Sequence, residues 1–432
     1  MALPSSLSSA ILPGYGAQLE DDAIKHSVEK LESGRAALLE EIRSIERENE
    51  YGNEILSHPI MVMPCKRFED TLGYRCKCSF QMLRNRGIWS YGMRSKGKEV
   101  PIGSDAFPVA NNCIQFAMKG LIQELNESDD DLTEITKNLT SSTFVSSWDQ
   151  NCVVITLHYN HCLGIDAWKH SATKLVRKIG ISFLIGRSRG IKVVIKGGNR
   201  CNDWLDDRVL TTMNELEPEI TDTVNIKMAE GRYEVIHYVK SIDAFQHPNS
   251  SVMHQAVDWI LGVMRNIKEK NDNCGQSLSL LELFCGCGAH TMILGKANIF
   301  DAIVAIEADQ RLVDACQRNI ILNDLSDTVF VVKEDAGHYP EAVKLSNCLY
   351  SDFDILLVDP PRQGLTSRIC EQAISGSFKH ILYISCGRVA LLHDIARLSE
   401  SFVVENCTML DLFPRTNAIE SLVHLKRKNI GK

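Results

Sequence analysis

The stretch LLELFCGCGAHT, Leu280–Thr291, decides how the chain is read. Its apolar start reads as a buried strand that carries Glu282 and runs into Gly286 and Gly288, where a helix begins. Glycine there allows a sharp turn and a close approach of backbone to ligand, because no side chain intervenes. About twenty residues on, the apolar run Ala302–Ile306 (AIVAI) ends on Glu307. An acid at the end of the second strand of a nucleotide-binding α/β fold accepts hydrogen bonds from ribose hydroxyls. The two features together point to an adenosyl cofactor. The spacing is G-x-G, with Thr291 three places beyond Gly288, and no phosphate-loop lysine follows. A pyrophosphate cradle is therefore poorly supported. S-adenosylmethionine has no phosphate and needs only close backbone approach and a ribose acid.

Working outward, FDILLVDPPRQG (Phe353–Gly364) reads as a later strand ending on Asp359. Ligands of open α/β sheets bind at the carboxyl ends of strands, which puts Asp359 beside the Gly286 turn. HILYISCGR (His380–Arg388) is another strand, ending on Cys386, and DLFPRTNAIESLVHL (Asp411–Leu425) carries Glu420 into a last one. A thiol and a carboxylate beside a methyl donor suggest one chemistry. Carbon 5 of uracil is a poor nucleophile until a thiolate adds to carbon 6. A base must afterwards take the carbon 5 proton so that the thiol can leave.

DPPRQGL, YISC and FPRTNAIES resemble the catalytic motifs of the RNA 5-methyluridine methyltransferases, nearest to the bacterial-type tRNA (uracil-5-)-methyltransferases that act on the T-loop. YGAQL at Tyr15, DAFPVAN at Asp105, FLIGR at Phe183 and AFQHPN at Ala244 have counterparts there in the same order. The resemblance implies Cys386 as nucleophile and Glu420 as base. It also implies a cofactor site at Gln246, Phe284, Gly286, Gly288, Ala289, Glu307 and Asp359, with S-adenosyl-L-methionine as cofactor and no metal. Three positions depart from the family pattern. Gly387-Arg388 replaces an Asn-Pro, Ala289 replaces an asparagine, and Asn417-Ala418 stands where histidines are usual.

The net charge of −8 is not that of a nucleic-acid binder overall, so charge is read locally. Residues 61–100 hold nine Lys/Arg (Lys66, Arg67, Arg75, Lys77, Arg84, Arg86, Arg94, Lys96 and Lys98) against three acids. Residues 181–200 hold five (Arg187, Arg189, Lys192, Lys196 and Arg200) and no acid. With Phe68, Tyr74, Phe80, Trp89 and Tyr91 interleaved, these stretches read as an RNA-binding surface whose affinity falls with salt. Residues 20–48 read as an amphipathic helix packed on the body, from the spacing of Leu31, Leu38, Leu39, Ile42 and Ile45. YRCKCSFQML and IWSYGMRS read as a hairpin turning at Asn85-Arg86-Gly87.

The expected architecture is α/β: a Rossmann-like class I S-adenosylmethionine-dependent methyltransferase domain with an N-terminal α+β RNA-binding domain. The expected boundaries are 1–55 for an N-terminal helical segment, 56–240 for RNA binding and 241–432 for catalysis. Fifteen scattered cysteines suit reduced thiols better than a disulfide framework. Cys65, Cys76 and Cys78 lack a C-x-x-C pair or a fourth ligand for a cluster. No apolar run approaches the ~18 residues of a membrane span, and the first twenty residues carry no signal- or transit-peptide pattern. A monomeric cytoplasmic enzyme acting on RNA, most simply tRNA, is expected. Two other classes fit parts of the pattern. D-P-P also occurs in exocyclic-amine methyltransferases, although Arg362 stands where they have an aromatic. Gly387-Arg388 and Ala289 would suit a non-catalytic RNA-binding homologue.

Overall fold

The computed structural model describes residues 20–48, 55–95, 98–105, 107–127, 132–198, 219–228, 231–243, 247–272, 278–345 and 352–428. The first described elements are a long helix, α1 (Glu20–Glu48), and a three-residue strand, β1 (Met61–Met63). Its contacts divide it into two units.

One unit comprises Lys66–Thr223 and Lys240–Ser250, with the start of α1 to Ile24. Its strands are β2 (Lys77–Asn85), β3 (Ile88–Ser95), β4 (Lys98–Ile102), β5 (Leu139–Ser146), β6 (Val153–Tyr159), β7 (Phe183–Ser188) and β8 (Ile191–Lys196). They form one sheet in the order β4-β3-β2-β5-β6-β7-β8. The expected hairpin is β2–β3. Arg86 and Gly87, at φ 50° and 87°, form its two-residue turn, the positive-φ pair that matches strand twist. β6 and β7 run parallel, so they need a crossover, which the helix Ile165–Ile179 supplies. At the core of this sheet Phe80 packs edge-on against Phe107 and Phe144, Tyr91 packs edge-on against Phe144, and Phe80 and Tyr91 are tilted to each other.

A two-stranded ribbon, β9 (Glu219–Lys227) and β10 (Tyr233–Ser241), belongs partly to each unit. The second unit contains Lys25–Cys65, Val224–Val239 and Ser251–Lys432. Its sheet is built from β1, β11 (Ser279–Leu283), β12 (Ala302–Glu307), β13 (Val329–Lys333), β14 (Ile355–Val358), β15 (His380–Ser385), β16 (Phe402–Leu410) and β17 (Glu420–Arg427). The order is β13-β12-β11-β14-β15-β17-β16-β1, with β17 antiparallel to both neighbours. The chain winds outward from β11 to β13, then crosses back to β14. The crevice at the carboxyl ends of β11 and β14 is thus the switch point where ligands of such sheets bind.

The contacts redraw the expected boundaries. Leu31, Leu38 and Ile42 of α1 lie in one buried cluster with Leu281, Val304, Val358 and Tyr383 of this sheet. β1 pairs in parallel with β16, Met61 beside Thr408. α1 from Lys25 onward and β1 therefore belong to the second unit, and neither a separate 1–55 segment nor an RNA-binding domain starting at 56 describes them. The physical reason is burial: the apolar stripe of α1 is completed only by the sheet.

Candidate active site

β11 ends in a turn in which left-handed residues alternate with ordinary ones. Phe284, Gly286 and Gly288 have φ of 63°, 59° and 83°. A positive φ at a phenylalanine is a strained exception that the surroundings must hold in place. Gly288 is the N-cap of the helix Ala289–Lys296. Glu307, at the end of β12, faces this turn. Its Oε2 accepts the Gly286 N–H at 3.0 Å, and its Oε1 accepts those of Ala308 and Asp309 at 2.8 and 2.9 Å. A carboxylate has about four lone-pair directions, so three bonds fix Glu307 without exhausting it.

Residues unremarked in the sequence complete this wall. The Asn319 side-chain amide donates to the carbonyls of Cys287 at 2.8 Å and Val239 at 3.1 Å. The Tyr238 hydroxyl donates to the Ala289 carbonyl at 2.7 Å. Glu282 is fully buried and accepts the Thr291 hydroxyl at 2.7 Å. Burial pushes its carboxyl up to about 8, the Thr291 hydrogen bond opposing and the nearby Asp359 charge adding. Glu282 is therefore largely neutral at pH 7 and can donate a proton in a hydrogen bond. Only an acid breaking an otherwise apolar strand hinted at this in the sequence.

The second half of the site is set by strand register. β15 and β17 are antiparallel with Ser385 opposite Ser421. Cys386, one residue beyond the end of β15, thus comes beside Glu420, the first residue of β17. Asp359 follows β14, where Val358 pairs with Tyr383 of β15. Of the described cysteines only Cys162 and Cys386 are exposed, whereas Cys285, Cys287 and Cys316 beside the glycine turn are buried. Partial burial of the Cys386 thiol raises its pKa, and the Glu420 carboxylate adds to that. The Arg362 guanidinium opposes both, by charge and by a hydrogen bond to the sulfur, but the balance stays above the ordinary thiol range.

The loop bearing Asp359 and Arg362 is clamped at its far end. Asp394 Oδ2 accepts the Leu365 N–H and the Tyr383 hydroxyl, both at 2.7 Å. Gly387 explains one departure from the family pattern. A Cβ there would stand 2.7 Å from the Arg362 carbonyl oxygen. Glycine after the cysteine lets the two loops close on each other. Gln246 lies outside the described residues.

The sheet order, the glycine turn and the acid at the end of β12 define a Rossmann-like S-adenosylmethionine-dependent methyltransferase unit. Comparison with known proteins narrows this. The family described as tRNA (Uracil-5-)-methyltransferase matches residues 56–428, and the chain belongs to that family. It is 30% identical over 366 residues to the tRNA/tmRNA (uracil-C(5))-methyltransferase of Wolinella succinogenes, covering 82% of this chain and 86% of that protein. It is 30% identical over 366 residues to the protein of that name from Pseudomonas putida, covering 82% and 88%. Among solved structures, it is similar in fold to the Pyrococcus abyssi tRNA (uracil-54, C5)-methyltransferase in complex with S-adenosyl-L-homocysteine. The TM-score is 0.57 at 18% identity, over 93% of this chain and 84% of that one.

Proposed function

We propose that this protein methylates carbon 5 of a uridine in the T-loop of tRNA, using S-adenosylmethionine. The observation that carries the reading is Cys386 beside Glu420, with Arg362 on the sulfur, at the edge of the sheet that also bears the glycine turn. The turn suits the cofactor: no described atom lies within 4 Å of where a Gly286 Cβ would be, so the backbone there can be approached closely. Phe284, Gly286, Gly288, Ala289, Glu307, Asp359 and, by sequence position, Gln246 would hold it. When bound, it supplies the electrophilic methyl group that carbon 5 accepts.

The chain's own residues do the rest. Arg362 draws the Cys386 thiol toward thiolate, against burial and the Glu420 charge. The thiolate adds to carbon 6, and the ring electrons move to make carbon 5 nucleophilic. After methylation, Glu420 takes the carbon 5 proton, the carbon 5–carbon 6 double bond re-forms and the carbon–sulfur bond breaks. Asp359 and Gln246 are the polar groups available to the base edge. A uridine stacked in folded RNA must be turned out to reach Cys386. The first unit supplies exposed cations for phosphates at Arg84, Arg86, Arg94, Lys98, Arg189 and Lys196. Two members of the expected basic surface, Arg187 and Lys192, share the single carboxylate of Asp243, which offsets one of their two charges. Lys96 and Arg200 lie outside the described residues.

The test uses unmodified tRNA and methyl-labelled cofactor, followed by digestion to nucleosides. Label in 5-methyluridine is expected. Label in an exocyclic-amine product, or none with cofactor still bound, would overturn the reading. Cys386→Ala should abolish the denaturant-stable protein–RNA adduct while retaining cofactor binding, and Glu420→Gln should accumulate that adduct.

A further inference from the structure

We propose that Lys30, on α1, is a positioning residue for Glu420. This inference rests on the reading of Glu420 as the base. The loop from Asp411 to Ile419 joins β16 to β17 and delivers Glu420. It has no regular structure, and Arg415 within it sits at φ 70°, a conformation a non-glycine residue keeps only when its surroundings over-determine it. Within it the Thr416 hydroxyl and N–H both donate to the Phe413 carbonyl, at 2.8 and 3.0 Å, and the Ala418 N–H donates to the Thr416 hydroxyl at 3.2 Å.

Lys30 supplies an anchor from outside the loop. Its ammonium group forms an ion pair with the Asp411 carboxylate and donates to the carbonyls of Phe413 at 3.3 Å and Ala418 at 3.1 Å. An ammonium has three donors, and these three acceptors span the loop from its first residue to two residues before Glu420. The pair is almost wholly buried, with Lys30 and Asp411 side chains 5% and 2% exposed. It is therefore little weakened by solvent.

A second observation on the same helix face is independent of charge. Gly34 lies one turn beyond Lys30, and a Cβ on it would stand 2.5 Å from Ile419 Cδ1. Glycine inside a helix is unfavourable relative to alanine, and here the space it leaves is filled by the residue preceding Glu420. The face continues in both directions. Ser27 Oγ accepts the Cys65 N–H at 2.9 Å, and Cys65 Sγ lies 3.8 Å from Asp411 Oδ2. Glu41 lies 3.9 Å from Arg388, two residues past Cys386. Positions 27, 30, 34 and 41 follow helical spacing. One face of α1 thus backs the loops of both reacting residues.

Lys30→Met alone would leave Asp411 buried and unpaired, so the charge-free pair Lys30→Met/Asp411→Asn is the main variant, and Gly34→Ala the second. Each is assayed with unmodified tRNA and methyl-labelled cofactor. The readouts are released 5-methyluridine, denaturant-stable labelled protein–RNA adduct, and binding of S-adenosylhomocysteine by calorimetry. Displacing the base should cut release roughly 10- to 100-fold while the labelled adduct accumulates and cofactor affinity stays within about twofold. Release and adduct at the parent's ratio in either folded variant would overturn the inference, because a purely structural role lowers both together with the folded fraction. A parent protein that yields neither adduct nor 5-methyluridine would overturn the proposed function itself, and this inference with it.

Discussion

The two glycines of the turn after β11 should fail in different ways when each is changed to alanine. Both have positive φ, 59° at Gly286 and 83° at Gly288. A left-handed conformation costs an L-residue about 1–2 kcal/mol, and that is the whole folded-state penalty at Gly286, whose missing Cβ has no described neighbour within 4 Å. At Gly288 the new Cβ would stand 2.8 Å from Met292 Cε and 2.9 Å from Cys316 Sγ. Overpacking of this kind adds about 1–3 kcal/mol, for a total of roughly 2–5 kcal/mol. Urea unfolding should show Gly288→Ala as the destabilised variant. Calorimetry with S-adenosylhomocysteine should show Gly286→Ala as the weak binder, by about tenfold or more, equivalent to roughly 1.4 kcal/mol of lost contact. The reasoning fails if Gly286→Ala binds like the parent, or if it loses as much stability as Gly288→Ala.

The remaining predictions concern protons. Cys386 is held above the ordinary thiol range by burial and by Glu420, so kcat/KM should keep rising with pH past neutrality, and Arg362→Ala should move that rise further upward. A profile flat from pH 6.5 to 9 would remove the thiolate from the rate. His380 and His424 share a hydrogen bond at 3.0 Å, and burial pushes them down to about 4 and about 3, with neighbouring lysines adding to it. Unfolded histidine titrates near 6.5, so below that pH the unfolded chain takes up protons that the folded one refuses. Their contribution is complete above about pH 7 and is lost as pH falls through 6.5 toward 4, by roughly 2 kcal/mol per histidine between pH 7 and 5. Denaturant titrations should show His380→Leu/His424→Leu flattening that slope; an unchanged slope would refute the assignment.

Much of the second unit was legible in short stretches. The turn from Phe284 to Gly288 and the acid Glu307 are local features, so a strand, two glycines and a spacing were enough to suggest them. The FPRTNAIES and YISC motifs pointed to Glu420 and Cys386, and the β15–β17 register puts those two residues side by side. The roles of Asn319, Tyr238 and Asp394 were not legible, because each acts by closing a hydrogen bond onto another element. The basic stretches illustrate the same limit. Counting charge cannot show that Asp243 is shared by Arg187 and Lys192, 51 residues away at the nearer.

Sequence alone determined the α/β class and the strands that carry Glu307, Asp359, Cys386 and Glu420, because apolar runs and glycine turns depend on neighbours within a few residues. Only the tertiary structure decided where α1 packs. Its apolar stripe says that a partner exists, but not which one. Lys30 and Asp411 are 381 residues apart, and neither would be buried as an ion unless the fold supplied the other. Gly387 is of the same kind: its lack of a side chain matters only because the Arg362 carbonyl comes to within touching distance of it.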